Sequence, residues 1–136
     1  MVEEPEFEAL EVQHYQTLIH RNFAKLFPDL EYFEEETQKP KNGQYDTQSV
    51  GIMDFLAVEK RSRDFVVIEL KRRASDKTVG QLARYMGWVK DELCINEQNV
   101  KGIIIAEKGD NYLDFALRVF PKVQFKKLEL DLKIID

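Results

Sequence analysis

The 136-residue sequence predicts an α/β protein with a central mixed β-sheet flanked by helices. Two apolar runs, residues 50–59 and 64–71, are joined by a short charged turn and form a predicted hairpin. Both faces of this hairpin are largely apolar, which is typical of a sheet covered on both sides. A helical segment then leads to a third apolar run, residues 100–106, and this strand–helix–strand order implies a right-handed parallel crossover.

The segment before the hairpin predicts a helix, an edge strand and a loop. Apolar residues spaced three and four apart indicate an amphipathic, acidic helix over about residues 7–27, ending before Pro28. Residues 30–36 alternate loosely and suggest an edge strand. Residues 37–49 are rich in turn formers and predict a mobile loop. This loop either closes over a substrate or is an ordinary solvent loop.

The segment after the hairpin completes the sheet. Ser75 or Asp76 is the predicted N-cap of a helix that runs to about Leu93. Asp110 or Asn111 is the predicted cap of a further helix, which Pro121 ends, and a last strand follows over residues 123–132. We therefore predict one domain over residues 1–136, with a core at 50–136.

Composition limits the class of protein. No apolar run approaches the length of a membrane span, and no signal-peptide pattern is present. Cys94 is the single cysteine, so neither an intrachain disulfide nor a thiolate zinc cluster can form. These features predict a cytoplasmic protein without a membrane partner.

The charge is unevenly distributed, although the net charge is −5. Residues 1–40 hold ten acids and three bases, whereas residues 60–90 hold nine bases and three acids. Positive charge concentrated in one region favours a polyanionic partner such as DNA. The alternative is a solvated face with scattered lysine and arginine.

Three ionisable residues stand within the apolar hairpin: Asp54, Glu69 and Lys71. If the turn is centred on Arg61 and Ser62, opposed residue numbers sum to 123, so Asp54 lies opposite Glu69. Their β-carbons are then roughly 5 Å apart. Two adjacent buried carboxylates repel each other, and a divalent cation between them removes the conflict. Oxygen ligands of this kind suit Mg²⁺ or Mn²⁺. The alternative is a structural role in which Lys71 pairs with an acid.

These residues carry a resemblance to a known family. The D…ExK pattern resembles the core of the PD-(D/E)XK nuclease superfamily, which implies a restriction-endonuclease-like fold and a Mg²⁺ or Mn²⁺ cofactor. The stretches GIMDFLAV, VVIELKR and VGQLARYMGWVK are similar to the catalytic domain of NucS-type (EndoMS) endonucleases. The similarity runs from about residue 50 to the C-terminus.

The resemblance implies roles for individual residues. Asp54, Glu69 and the backbone carbonyl of Leu70 would hold the metal, and Lys71 would orient or deprotonate the attacking water or offset charge in the transition state. Gln81 and Tyr85 match the Q-x-x-x-Y motif of RecB-like nucleases, in which the glutamine approaches the reacting groups and the tyrosine holds DNA. Glu11, or Glu8, is the candidate acid of the first helix. The predicted DNA contacts are Arg72, Arg73, Lys77, Arg84 and Tyr85.

The sequence therefore predicts a metal-dependent DNA endonuclease, with a homodimer implied because such domains pair to meet two strands. NucS-type enzymes carry a separate N-terminal DNA-binding and dimerisation domain, so recognition of mismatched or branched DNA is not carried over. A second interpretation is a non-catalytic nucleic-acid-binding or assembly module on the same scaffold. A third is an interaction protein whose acidic first helix binds a basic partner.

Overall fold

The structure, a computed structural model, describes residues 4–38 and 41–136, with side chains described from residue 10 onward. It contains four helices and seven strands in these ranges. The helices are α1 (Glu4–Arg21), α2 (Phe23–Leu26), α3 (Asp76–Glu92) and α4 (Asn111–Leu117). The strands are β1 (Leu30–Tyr32), β2 (Tyr45–Asp46), β3 (Ile52–Met53), β4 (Phe55–Glu59), β5 (Phe65–Ala74), β6 (Val100–Gly109) and β7 (Val123–Lys127).

Five of the strands form the central mixed sheet, in the order β1-β4-β5-β6-β7. The neighbours β1, β4 and β5 pair antiparallel, whereas β5, β6 and β7 pair parallel. The mixed sheet, the edge position of β1 and the parallel crossover through α3 are confirmed. The longest strands, β5 and β6, lie at the centre, where pairing on both sides satisfies their backbone groups.

Side chains that alternate along the strands build two cores, one on each face of the sheet. On one face, Ile68 and Leu70 of β5 pack with Tyr15 and Ile19 of α1. On the other face, Val67 packs beneath α3 in a cluster that includes these helix residues: Val79, Leu82, Tyr85 and Val89. From residue 65 to residue 72 of β5, odd-numbered residues therefore face α3 and even-numbered residues face α1.

Capping residues place the two crossover helices where the sequence predicts them. Ser75 is extended and accepts from the backbone N–H of Lys77 at 3.3 Å, while the Thr78 hydroxyl accepts from the N–H of Ser75 at 3.1 Å. Asp110 caps α4 by accepting from the N–H of Leu113 at 2.8 Å. Each cap satisfies a donor that the first helical turn leaves unpaired.

Several predicted boundaries are wrong. The first helix breaks at Asn22, whose backbone is non-helical, and continues as the short α2. The helix expected to reach Pro121 ends at Leu117, and the last strand ends at Lys127 rather than near residue 132. Periodicity predicts which side chains share the apolar face of an element, but it does not predict where the element ends. The helix α4 and the strand β7 were therefore predicted to be longer than they are.

Residues 37–49 are more ordered than predicted, within the part of this segment that the structure describes. Gln38 is buried and exchanges two hydrogen bonds with the backbone of Asp46, at 2.8 and 3.1 Å. Tyr45 lies in the α3-side core, and its strand β2 pairs with β3. The prediction of a mobile loop is therefore corrected, because side-chain hydrogen bonds and an aromatic anchor hold this segment to the domain.

Candidate active site

The hairpin places two acids side by side near the middle of β5. The paired residues run from Val58↔Phe65 to Phe55↔Ile68, and the numbers of every pair sum to 123, as predicted. The next pair in this register is Asp54 with Glu69. Asp54 itself lies in a bend between β3 and β4, so the single predicted strand over residues 50–59 is in fact two.

The bend frees the side chain of Asp54 to bond the neighbouring strand. Its Oδ2 accepts from the backbone N–H of Leu70 at 2.8 Å. In a regular strand pair, the N–H of Leu70 would donate to a backbone carbonyl, but here it donates to a side-chain oxygen. This bond fixes the Asp54 carboxylate beside Glu69.

Glu69 is the most unusual residue of the site because its carboxylate is buried and incompletely paired. Only 4% of the residue is exposed, and its Oε2 has no hydrogen-bond partner among the described residues. Its Oε1 lies 4.0 Å from Nζ of Lys71, which shares the α3-facing side of β5 as predicted. A buried, unpaired carboxylate oxygen costs free energy unless a ligand completes it.

The two carboxyl groups titrate abnormally. Burial raises the pKa of Glu69, and the nearby charge of Asp54 raises it further, against the opposing effects of Lys71 and Arg84. Burial also raises the pKa of Asp54, although the Leu70 hydrogen bond and Lys71 act to lower it. Both groups therefore resist ionisation in the absence of a cation.

These observations fit a hard divalent cation. Such a cation would complete the unpaired oxygen of Glu69 and cancel the repulsion between the carboxylates, and hard oxygen donors suit Mg²⁺ or Mn²⁺. Among the described residues, no group of three or more His, Cys, Asp or Glu side chains could hold a metal. The available protein donors are therefore Asp54, Glu69 and a backbone carbonyl such as that of Leu70.

Two of the predicted residues, Gln81 and Arg84, belong to helix α3, which packs on one face of the sheet. Arg84 is exposed, yet its charge acts on the carboxyl group of Glu69. Gln81 is half-buried one turn earlier, three residues before Arg84 and therefore on the same side of the helix.

Tyr85 has a supporting role that differs from the predicted one. Only 3% of it is exposed, and its hydroxyl donates to the backbone carbonyl of Ile52 at 3.2 Å. A side chain buried to this degree is not available to DNA, so the predicted DNA contact is corrected. Tyr85 instead anchors β3, the strand immediately before Asp54.

Gly51 fits against this anchor and cannot carry a side chain. Its φ is +120°, and a β-carbon built there would lie 2.6 Å from the hydroxyl oxygen of Tyr85. We expect Gly51→Ala to lower the free energy of unfolding by about 1–3 kcal/mol, because the backbone is strained for alanine and the Tyr85 bond must move. Chemical denaturation measures the change.

Gly80→Ala is the matched control for this prediction. Gly80 lies on the exposed side of α3, and a β-carbon there would meet nothing within 4 Å. Alanine should stabilise that helix by up to about 1 kcal/mol. Equal effects of the two substitutions would contradict the role assigned to Gly51.

Glu11 and Arg72 lie on the other face of the sheet from Glu69. Arg72 Nε is 3.3 Å from the carboxylate of Glu11 and 3.7 Å from that of Glu107 on β6. The Tyr15 hydroxyl donates its single hydrogen bond to Glu107 and lies 3.4 Å from the carboxylate of Glu11. These contacts tie α1 to the ends of β5 and β6, so Glu11 and Arg72 act as a clamp between helix and sheet rather than as the predicted metal ligand and phosphate contact. The alternative acid, Glu8, has a side chain outside the described residues.

The basic region of the sequence divides between two ends of the structure. Arg73 and Lys77 are exposed near the start of α3, beyond Lys71 on the chain. The turn bases Lys60, Arg61 and Arg63 instead lie at the closed end of the hairpin, roughly 20 Å from Glu69 at about 3.3 Å per strand residue. Fewer of the nine bases therefore lie near Glu69 than the sequence suggests.

A polar cavity that the sequence analysis missed opens beside Asp54. It has a volume of about 340 Å³, and it is lined by Val12, Gln13, Gln16, Thr17, Asn42, Gln44 and Asp54. Gln16 is buried and donates to the backbone carbonyl of Asn42 at 3.0 Å, which joins α1 to the segment before β2. In the sequence, the one indication that residues 42–44 border the site is that they precede Asp54 by about ten positions.

The fold and site define an α/β protein with a buried glutamate beside a half-buried aspartate at the bend of a central hairpin. No helix in the described part of the chain is long and apolar enough to cross a membrane. Residues 15–129 match the Endonuclease NucS C-terminal domain family, and the chain belongs to this family.

Individual relatives agree with this assignment. The chain is 38% identical to Endonuclease NucS of Pyrococcus abyssi over 82 residues, covering 58% of the chain and 30% of that protein. It is 37% identical to Endonuclease NucS of Methanocaldococcus jannaschii over 95 residues, covering 69% of the chain and 34% of that protein. The chain thus spans about a third of the length of these relatives.

Solved structures of similar fold come from the same group of enzymes. A repair endonuclease from Pyrococcus abyssi superposes with a TM-score of 0.59 at 28% identity, covering 95% of this chain and 49% of that one. An EndoMS–dsDNA complex superposes with a TM-score of 0.59 at 26% identity, covering 85% of this chain and 43% of that one.

Proposed function

We propose that this chain is a Mg²⁺- or Mn²⁺-dependent DNA endonuclease of the PD-(D/E)XK class, which acts alone or as the catalytic part of a larger assembly. The observation that carries the proposal is the buried, unpaired Oε2 of Glu69 beside Asp54. Its relatives are named endonucleases, which supports the same reaction class. The proposal includes one domain over residues 1–136, a homodimer and a cytoplasmic location.

The metal would be held by Asp54, Glu69 and the backbone carbonyl of Leu70. When bound, it would polarise the scissile phosphate and lower the pKa of the attacking water. The burial of the Glu69 carboxylate supports this role, because surroundings with little water strengthen its interaction with a cation.

The remaining roles fall to side chains around the acids. Lys71 lies next to Glu69 and is half-exposed, so its amine can orient the attacking water or offset negative charge that develops on the phosphate. Gln81 would hydrogen-bond the phosphate or the water from α3. Arg73, Lys77 and Arg84 are exposed and would contact flanking phosphates, which position DNA without reading its sequence.

Cleavage of a labelled DNA panel tests the proposal directly. Single-stranded, duplex, mismatched and branched substrates are incubated with Mn²⁺, Mg²⁺ or EDTA. We expect cutting that requires the metal and is lost in Asp54→Asn. Asparagine keeps an acceptor for the N–H of Leu70 but loses the charge, so the variant should remain folded.

Asp91→Asn is the matched control, because Asp91 is an exposed acid near the end of α3. It should cut as the unaltered protein does. DNA binding without metal-dependent cutting would favour the non-catalytic module instead. Neither binding nor cutting on any substrate would reject both nucleic-acid functions.

A further inference from the structure

The proposed reaction uses only one residue of the polar cavity beside the acid pair, and that residue is Asp54. The cavity adjoins the acids because Asp54 belongs to its lining, and its volume is about 340 Å³. Clefts of this size can enclose small organic groups. A nucleic-acid strand whose phosphate lies at the acids would therefore bring a neighbouring sugar and base close to this cavity.

The lining of the polar cavity is hydrophilic but almost uncharged. Asp54 is its single charged side chain, and the other described residues of the lining include four amides: Gln13, Gln16, Asn42 and Gln44. A phosphate in this cavity would be repelled by Asp54 and would meet no lysine or arginine of the described lining. Amide groups instead offer both hydrogen-bond donors and acceptors to a neutral partner. The cavity therefore favours a neutral polar group over a phosphate.

The segment before β2 is held firmly, so the amides that it carries are fixed in position. Gly43 has a φ of +94°, and a β-carbon built there would lie 2.5 Å from Cδ1 of Phe55. The carbonyl of Gly43 accepts from the N–H of Leu56 at 2.9 Å. Buried Gln16 holds the same segment from α1, because it donates to the carbonyl of Asn42 at 3.0 Å. Groups that are already in place bind a ligand without an additional ordering cost.

Two of these amides each keep one hydrogen-bonding group for a ligand. Gln16 donates through Nε2 to the carbonyl of Asn42, which leaves its Oε1 as an acceptor. Gln44 accepts through Oε1 from Nδ2 of Asn42 at 3.2 Å, which leaves its Nε2 as a donor. No residue in the described ranges bonds to either remaining group. The Watson–Crick edge of a nucleic-acid base also carries both donors and acceptors, so it is complementary to this pair of groups.

We propose that the polar cavity binds the base of an unpaired nucleotide next to the scissile phosphate. The Watson–Crick edge of the base faces Gln16 and Gln44, and half-buried Val12 contacts the ring. The base must be unpaired, because in a duplex this edge is occupied by the complementary strand. The inference rests on the proposed nuclease function, since it requires a phosphate at the acids, and it adds direct contact with one base to the contacts with phosphates.

Binding is tested first on the unaltered protein, by NMR of the side-chain amide groups. A single-stranded thymidine tetramer is added with Ca²⁺ in place of Mg²⁺, and a tetramer that lacks all four bases is the control probe. We expect the amide resonances of Gln16, Asn42 and Gln44 to shift only with the thymidine tetramer. The resonances of Gln124, which is exposed on β7, should shift with neither probe. Equal shifts with both tetramers, or none with either, overturn the proposal.

Single-turnover cleavage then tests the contact between Gln44 and the base. Substrates that lack one base on either side of the cut are compared with the intact substrate, for the unaltered protein and for Gln44→Met. We expect base loss at one position to slow the unaltered protein about tenfold, and Gln44→Met to slow cleavage of the intact substrate by about the same factor. The two changes together should cost little more than either alone, because both remove the same contact. Gln124→Met is the matched control and should respond to base loss as the unaltered protein does.

The outcomes separate the base site from the nuclease activity. A protein that cuts DNA, but in which base loss and Gln44→Met act independently, overturns the base site and leaves the nuclease function standing. A protein that cuts no substrate, but whose cavity amides shift only with the thymidine tetramer, keeps the base site and rejects the nuclease function. Circular dichroism of Gln44→Met establishes that slow cleavage does not come from misfolding.

Discussion

Glu69→Gln is expected to abolish metal-dependent DNA cleavage and, in EDTA, to make the protein more stable. The amide would remove a proposed metal ligand, and the loss of several kcal/mol of charge stabilisation would lower the rate by about 10³-fold or more. The same amide can donate a hydrogen bond to the Asp54 carboxylate, which removes the repulsion and the unpaired oxygen. At pH 9, above the pKa of about 8 that burial and Asp54 give Glu69, the free energy of unfolding should rise on the order of 1–3 kcal/mol, the usual cost of an unsatisfied buried group. At pH 6 the gain should be small, because protonated Glu69 itself donates a hydrogen bond to Asp54.

Two measurements on the same variant make this prediction specific. Urea unfolding in EDTA at pH 6 and pH 9 gives the stability on either side of the Glu69 pKa, and single-turnover cleavage with Mn²⁺ gives the rate. Glu92→Gln, an exposed glutamate at the end of α3, should change neither. A Glu69→Gln protein that is less stable, or that still cleaves DNA, would contradict the assignment of Glu69 as a ligand destabilised by burial.

Lys71→Met is expected to lower the cleavage rate by about 10²- to 10⁴-fold without weakening metal binding. This decrease is typical when an enzyme loses a group that transfers a proton or offsets charge in the transition state, which is the role proposed for the Lys71 amine. Metal affinity should stay the same or increase, because the substitution removes a positive charge 4.0 Å from a carboxylate oxygen of Glu69. Single-turnover cleavage and calorimetric titration with Mn²⁺ measure the two effects separately.

Lys25→Met is the control for loss of a lysine, since Lys25 is exposed on α2. Its rate should match that of the unaltered protein. If Lys71→Met weakened metal binding and cleavage in equal proportion, Lys71 would act by shaping the acidic pair rather than by taking part in the reaction.

The register of the hairpin was predictable because its determinants are local. A short turn fixes which residues oppose each other, and alternation fixes the face on which they lie, so Asp54 and Glu69 could be paired from the sequence. The caps at Ser75 and Asp110 were predictable for the same reason, since each depends on a few adjacent residues. These local rules were sufficient to define the centre of the candidate site.

Contacts between distant elements were less predictable. The sequence does not specify which face of the sheet α1 covers. Because α1 packs on the face formed by Ile68 and Leu70, Glu11 contacts Arg72 rather than Glu69. Tyr85 shares a helix face with Gln81, yet the approach of Gly51 leaves its hydroxyl beside the carbonyl of Ile52. The positions of these two side chains depend on how the helices pack on the sheet, which helical and strand periodicity do not specify.

The hydrogen bond between Asp54 and the backbone of Leu70 has a consequence for the evolution of this domain. The side chain at position 54 completes the central sheet as well as presenting a charge. A homologue without catalytic activity would still gain stability from an oxygen acceptor there, because an unpaired N–H in the middle of β5 is costly. Asparagine or serine at this position would then be maintained by folding alone. A polar residue at position 54 in a distant homologue is therefore weak evidence of catalysis, whereas retention of both carboxylates, which is unfavourable for folding without metal, is much stronger evidence.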